Sequence, residues 1–122
     1  MPYKVRTFEV GECEVAKPLV LYLEGWGEQA LLRYYFWLLE GEGRWILVDT
    51  GFTLGLARRF MPEMRQKEGH DTLSLLRAAG VDPNSIDLVI ATHTHFDHLS
   101  PVVEEMGNAK VVLQRKEYEY TV

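Results

Sequence analysis

The sequence predicts a mixed α/β fold, in which a sheet carries helices on one face. Two β-rich runs, Leu31–Glu40 and Arg44–Asp49, are joined by Gly41-Glu42-Gly43 and are typical of a hairpin. The aliphatic run Ile86–Thr92 is typical of a buried strand. Leu73, Leu76 and Ala79 share one helical face within the segment Thr72–Ala79. A hairpin followed by alternating helices and strands predicts a mixed sheet.

Length and composition limit the class of protein. The 122 residues predict a single domain spanning 1–122, and a hydrophobic content of 47% is enough for a core. A net charge of −5 and scattered basic residues give no reason to expect nucleic acid as a partner. The single cysteine, Cys13, excludes an internal disulfide. No signal peptide or membrane-spanning run is visible, so we expect a cytoplasmic protein without a membrane partner.

The first elements are short strands separated by glycines. Tyr3–Val10 alternates loosely and predicts a first strand, which we expect to turn at Gly11. Leu19–Leu23 predicts a second short strand, followed by a glycine-rich loop. Within that loop, Trp26 either joins the core or lines a cleft; the usual burial of large aromatic residues favours the core.

The middle of the chain is the least regular part. Phe52–Gly69 contains Pro62, which predicts a loop or a broken helix. Packing against the core is favoured for its Phe and Met residues, and a pocket wall for an apolar ligand is the alternative. His70 is a lone histidine expected at the polar surface. Asp71 is suited to cap the helix Thr72–Ala79, which Gly80 would end.

The C-terminal part predicts three further elements. Ser100 and Pro101 are typical of the start of a short helix through Met106. Lys110–Gln114 predicts a strand, and Arg115–Tyr120 predicts the beginning of a helix.

Three of the four histidines and a carboxylate lie within six positions that follow the central strand: His93, His95, Asp97 and His98. Imidazole and carboxylate are ligands for a divalent metal such as zinc. If the chain stays extended, His93 and His95 project on the same side and can bind one ion. Asp97 and His98 follow where the chain turns and can serve a second ion. Surface histidines, or histidines bonded to backbone carbonyls, are the alternative; the clustering and strand context favour the metal.

Asp49 ends the second strand of the hairpin, in the run Val48-Asp49-Thr50-Gly51. It can be a turn residue whose side chain bonds nearby amides. It can equally be a carboxylate that orients a metal-binding histidine through its other ring nitrogen. The spacing favours neither interpretation.

His93-Thr94-His95-Phe96-Asp97-His98 resembles the H-x-H-x-D-H motif of the metallo-β-lactamase fold. The run 48–51 resembles the aspartate-glycine turn of that family. The segment 111–118 is similar to the strand-to-helix segment of its N-acyl homoserine lactonase branch. The resemblance implies the N-terminal half of an αβ/βα sandwich, with a mixed sheet and helices on one face.

The resemblance also implies a chemistry. His93 and His95 would bind one metal, and Asp97 and His98 a second; zinc is favoured, with iron or manganese as alternatives. A metal-bound hydroxide would attack the carbonyl of a lactone or ester, such as an N-acyl homoserine lactone. Asp97 would carry a proton to the leaving oxygen. Phe60, Met61 and Met64 are candidates for contact with an acyl chain.

Two departures from the family pattern bear on function. Leu99-Ser100-Pro101 stands where the family usually has glycines, which affects the rim of the cleft and so the substrate. Family members are also longer, and their second half supplies a further histidine to each metal, a bridging aspartate and a substrate-facing tyrosine. We therefore expect this chain alone to bind metal weakly and to be inactive without a C-terminal half or a homo-oligomer. A thioester hydrolase resembling glyoxalase II, or a non-catalytic metal-binding half-domain, are the alternatives.

Overall fold

The computed structural model describes residues 2–122. Five strands form one sheet in the order β1-β2-β3-β4-β5, so each strand lies beside the next one in the chain. The first two pairings are antiparallel and the last two are parallel. The strands are β1 Lys4–Ala16, β2 Gln29–Gly41, β3 Arg44–Val48, β4 Leu88–Ala91 and β5 Lys110–Leu113. The mixed sheet that the sequence predicts is confirmed.

The three helices are short: α1 Leu54–Phe60, α2 Thr72–Ala78 and α3 Arg115–Thr121. Both α1 and α2 lie in the crossover between the parallel strands β3 and β4, a connection that parallel pairing requires. The predicted cap is confirmed, because the Asp71 carboxylate accepts a hydrogen bond from the Ser74 amide at 3.1 Å. For 52–69 the sequence predicts a loop or a broken helix, and the structure has both: α1 ends before Pro62 and irregular chain follows.

The core lies between one face of the sheet and the helices. Strand residues Phe36, Leu47 and Val89 are fully buried and share one cluster with Leu76 of α2 and Ala57 of α1. The opposite face is also apolar, and it is less protected. It carries half-buried Trp37, Val48 and Ile90, and Val112 is 45% exposed.

The hairpin between β2 and β3 is confirmed, and its turn favours the pairing. Gly41 pairs with Arg44, which leaves Glu42 and Gly43 as a two-residue loop. Both have positive φ, at 53° and 70°. Two consecutive left-handed residues form the turn whose twist matches that of the flanking strands.

The prediction that the first strand turns at Gly11 is wrong. β1 continues to Ala16, with a shift in register between Glu9 and Gly11. A Cβ at Gly11 would lie 2.5 Å from the Arg65 carbonyl oxygen and 2.5 Å from the Phe52 ring. The glycine therefore permits a close approach inside a strand and does not end it.

Two predictions for the following loop are wrong as well. Leu19–Leu23 is not a strand. A 3₁₀ turn, Lys17–Leu19, contains Pro18 and ends at Leu19, and Leu23 has a φ of 56°. Trp26 is 71% exposed and so lies outside the core. The apolar composition of this loop predicts burial, but its large apolar side chains are exposed in the structure.

The helix predicted from Ser100 is a 3₁₀ turn, Pro101–Glu105, and the Ser100 side chain makes no cap hydrogen bond. Ser100 is buried instead, and its hydroxyl lies 3.1 Å from that of Thr50. The hydroxyl is used in the interior and is not available to the turn that follows.

Candidate metal centre

The histidine segment, Thr92–His98, begins where β4 ends, at the carboxyl edge of the parallel strands. β4 closes at Ala91, and the chain leaves the sheet through Thr92. A turn then brings the end of the segment back, because the amides of His98 and Leu99 donate to the His95 carbonyl at 2.9 and 3.0 Å. Open α/β sheets commonly place their sites at this edge.

The turn brings the three imidazole rings together. The ring centroids of His93 and His95 lie 4.6 Å apart, and those of His93 and His98 lie 3.9 Å apart. Asp97 Oδ2 lies 3.2 Å from His98 Nε2. All four candidate ligands predicted from the sequence therefore lie in one cluster, with His93 at its centre.

Asp49 fixes the orientation of His98. Its Oδ2 lies 2.6 Å from His98 Nδ1, and the carboxylate is 1% exposed. Its other oxygen accepts hydrogen bonds from the Thr92 amide at 2.8 Å and the Thr92 hydroxyl at 2.9 Å. Of the two interpretations of Asp49, the contact with a ring nitrogen of His98 supports the orienting carboxylate, and it leaves Nε2 as the nitrogen available to a metal.

Charge reinforces this arrangement. Hydrogen bonds to Asp49 and then to Asp97 raise the pKa of His98 to about 9. Burial opposes ionisation of Asp49, but hydrogen bonds from His98 and Thr92 outweigh it and hold its pKa below the usual range. Without metal, His98 is thus protonated at neutral pH, and a cation at Nε2 has to displace that proton.

His93 has the opposite character. Burial, followed by the charges of His98 and His95, lowers the pKa of His93. A neutral imidazole keeps a free lone pair, which is the form that binds metal. For Asp97, burial opposes ionisation but the hydrogen bond to His98 outweighs it, so its pKa is lowered and it is an anion at neutral pH.

The donor set fits zinc in its chemistry, since it offers imidazoles and a carboxylate at one point. Within residues 2–122, however, no three His, Cys, Asp or Glu side chains are already spaced as ligands to one ion. Binding one ion through three of these donors therefore requires their side chains to change position. His70, the fourth histidine, lies apart, with Nδ1 3.3 Å from the Glu9 carbonyl oxygen.

A cleft of about 250 Å³ borders the cluster between β2 and the Asp97-His98 turn. Tyr34, on its wall, donates a hydrogen bond to Met61 Sδ at 3.2 Å. Burial, followed by the charge of Asp97, raises the pKa of Tyr34 to about 12. Tyr34 is thus a neutral hydroxyl at all ordinary pH values.

The three candidates for contact with an acyl chain differ in position. Phe60 is 63% exposed and stacks on Phe96 of the histidine segment, with ring centroids 4.9 Å apart. Met61 is half-buried against the core. Met64 is 1% exposed and belongs to the core, so it is excluded as a ligand contact.

Three contacts at the site were not predicted from the sequence. Thr92 joins Asp49, Thr50 bonds the His98 carbonyl at 3.1 Å, and Glu117 of α3 accepts hydrogen bonds from Thr94. The hydrogen bond from the Thr94 amide is the main reason that the pKa of Glu117 is lowered. Each contact joins distant parts of the chain, and the only sequence signal was the position of these residues beside the motif or a strand end.

Comparison with known proteins identifies the class. The family model of the metallo-beta-lactamase superfamily matches residues 32–113, so the chain belongs to this superfamily. Its similarity extends further to N-acyl homoserine lactonases. The enzyme AttM of Azorhizobium caulinodans is 35% identical over 66 residues, which are 54% of this chain and 24% of the relative. The Bacillus thuringiensis lactonase is 28% identical over 105 residues, which are 76% of this chain and 41% of the relative.

Solved structures agree with this placement. A quorum-quenching N-acyl homoserine lactone lactonase superposes with a TM-score of 0.81 and 28% identity, over 95% of this chain and 47% of the other. A hydrolase of the same class, with N-hexanoyl-L-homoserine bound at its catalytic metal center, has a TM-score of 0.81 and 25% identity, over 95% and 50%. The chain thus spans half or less of the length of these relatives, and it has the fold of their matching half.

Proposed function

We propose that this chain provides the metal-binding motif of a zinc-dependent lactonase that opens N-acyl homoserine lactones. The observation that carries the proposal is the cluster of three imidazoles and Asp97 at the end of β4, in a chain of this superfamily. The similarity to lactonases supports the substrate class. His93, His95, Asp97 and His98 would hold the metal, and iron or manganese could replace zinc.

Bound zinc supplies Lewis acidity, which lowers the pKa of a water molecule and polarises a carbonyl group. The residues of this chain orient the site. Asp49 holds His98 by Nδ1 and so presents Nε2 to the cluster. Asp97 is ionised and lies beside that nitrogen, which suits it to accept a proton and to deliver it to the alkoxide that leaves when the lactone opens.

Catalytic zinc normally receives three protein ligands, so a site with two ions needs more donors than the four that this cluster offers. We therefore propose that activity needs donors beyond the four described here, from a C-terminal half or from another copy of the chain. No helix among the described residues is long and apolar enough to cross a membrane. The cytoplasmic location stays a prediction.

Zinc titration of the chain by calorimetry, with parallel assays of lactone and thioester hydrolysis, tests the proposal. We expect weak zinc binding that His93→Ala and His95→Ala abolish, and no turnover by the chain alone. His70→Ala is the matched control and should bind zinc as the parent does. Equal binding by His95→Ala and the parent would contradict the metal site.

Two other outcomes would revise the proposal. Two tightly held zinc ions with lactone turnover would mean that another copy supplies the missing donors. Thioester turnover without lactone turnover in such an assembly would favour a hydrolase resembling glyoxalase II.

A further inference from the structure

We infer that Glu117, on α3, is a positioning residue for the metal ligands His93 and His95. It acts through Thr94, the residue between them. This inference rests on the proposed function, since it assigns Glu117 a part in forming the same metal site.

The contact is made by both polar groups of Thr94. The Thr94 amide donates to Glu117 Oε1 at 3.0 Å, and the Thr94 hydroxyl donates to the same oxygen at 3.1 Å. A second residue of α3 joins them, because the hydroxyls of Thr94 and Thr121 lie 2.6 Å apart. The Thr121 hydroxyl also lies 2.9 Å from the Glu117 carbonyl oxygen, and its single proton is shared between that oxygen and the Thr94 hydroxyl. One carboxylate oxygen therefore ties the backbone and the side chain of Thr94 to α3.

The position of Thr94 gives this contact its effect on the ligands. The rings of His93 and His95 lie together, 4.6 Å apart, while the Thr94 side chain is bonded to α3. Rotating the backbone at Thr94 would turn one imidazole away from the other. A hydrogen bond that fixes the Thr94 amide therefore fixes the side on which both rings project.

The contact of α3 with the histidine segment is polar. α3 contains no buried residue, and its aromatic side chains Tyr118 and Tyr120 are 57% and 86% exposed. The helix therefore contributes little apolar burial to stability. The residues of α3 that make the polar contact are Glu117 and Thr121.

Asp49 cannot replace this contact, because it holds other residues of the same segment. Asp49 bonds Thr92 and His98, whereas His93 and His95 lie between those two points. Without Glu117, the segment Thr92–His98 would keep its two ends bonded to Asp49 and would lose the hydrogen bonds at Thr94. Partners that orient metal ligands commonly change metal affinity roughly 10–100-fold when they are removed.

Two measurements on the chain test this role: hydrogen exchange of the Thr94 amide by NMR without metal, and zinc affinity by calorimetry. Glu117→Ala should speed exchange at Thr94 and weaken zinc binding by roughly 10–100-fold. Glu117→Gln keeps an acceptor oxygen and should restore most of both properties. Glu119→Ala removes an exposed carboxylate from the same helix and should match the parent.

The outcomes separate this role from the proposed function. If Glu117→Ala binds zinc as tightly as the parent, Glu117 is not a positioning residue, even where exchange at Thr94 is faster, while the metal site itself stands. If Glu117→Gln is as weak as Glu117→Ala, the acceptor oxygen is not what matters and the inference is overturned. If the parent binds no zinc, the proposed function fails, and the positioning role fails with it.

Discussion

Two carboxylates hold the histidine segment, and they lie in opposite environments. Asp49 follows β3, is 1% exposed and bonds the residues at the two ends of the segment, Thr92 and His98. Glu117 lies on a helix with no buried residue and bonds Thr94 in the middle. A fully buried charge loses its hydration and must be compensated by hydrogen bonds or an opposite charge, whereas a half-buried one such as Glu117 keeps part of its hydration. We therefore expect Asp49 to determine both stability and metal binding, and Glu117 to determine metal binding alone.

The largest expected effect comes from Asp49→Ala, which removes the buried carboxylate partner of His98 Nδ1, leaves only Asp97 beside that ring and takes the acceptor from the Thr92 amide. We expect the free energy of unfolding to fall by about 3–5 kcal/mol, as for other buried pairs that lose one member. Urea denaturation of the metal-free chain measures this loss. Asp49→Asn is the control, because it keeps an oxygen for the Thr92 amide and tolerates the φ of 59° at this position. Equal losses in Asp49→Ala and Glu117→Ala would remove the contrast between the two carboxylates.

A smaller effect is expected from Thr50→Val, next to Asp49. The Thr50 hydroxyl accepts a hydrogen bond from the buried Ser100 amide at 3.0 Å and bonds the His98 carbonyl at 3.1 Å. Valine has a similar shape but leaves the Ser100 amide unpaired, which costs about 1–3 kcal/mol. Thermal unfolding should show the loss, and Thr50→Ser, which keeps the hydroxyl, should recover most of it. A valine variant as stable as the parent would mean that the hydrogen bonds of the Thr50 hydroxyl do not contribute to stability.

Asp71 allows a comparison with a half-buried carboxylate that accepts a hydrogen bond from one backbone amide. Asp71→Ala should cost about 0.5–2 kcal/mol and Asp71→Asn little, since asparagine also caps helices. Burial opposes ionisation of Asp71, but hydrogen bonds from Ser74 outweigh it and lower its pKa from 3.8. The contribution of its charge is therefore present above pH 3.8 and is lost as the pH falls through the lower folded-state pKa.

Denaturation of the parent and of Asp71→Ala at a series of pH values measures this dependence. The difference in unfolding free energy should be constant near neutral pH and should shrink in acid. A difference that stays constant through acid pH would show that the cap does not depend on the charge.

The smallest effect is expected from Thr121→Val on α3. The Thr94 amide keeps its hydrogen bond to Glu117 in this variant, so unfolding free energy should change by less than about 0.5 kcal/mol. Zinc affinity should stay within a few-fold of the parent by calorimetry. A loss of zinc affinity as large as that of Glu117→Ala would transfer the role from the carboxylate to the hydroxyl pair.

The sequence predicted those features that depend on neighbouring residues. The turn at Glu42-Gly43, the cap at Asp71 and the histidine cluster all arise within a few positions of one another. The contacts that Asp49 and Glu117 make with the histidine segment do not arise between neighbouring residues. Asp49 meets Thr92 across 43 positions and Glu117 meets Thr94 across 23, so each contact exists only after strands pair or α3 returns to the sheet.

The errors have a related cause. The predictions for Leu19–Leu23 and Trp26 rest on apolar composition, which indicates how readily a side chain is buried. Whether a loop packs on the core depends on the surfaces that face it, and composition does not contain that information. The sequence predicts a turn at Gly11 because glycine permits one, whereas its place inside β1 depends on Phe52 and Arg65, far along the chain.

The strand order has a consequence for how the chain folds. β1, β2 and β3 pair as successive hairpins, and such pairs form in about 1–10 μs when the turn is favourable. Pairing of β3 with β4 must wait for the crossover through α1 and α2, a longer loop with a larger entropic cost. The histidine segment follows β4, and so its donors assemble only after this slow step. Metal added during refolding should therefore be captured late, with the rate of β4 docking.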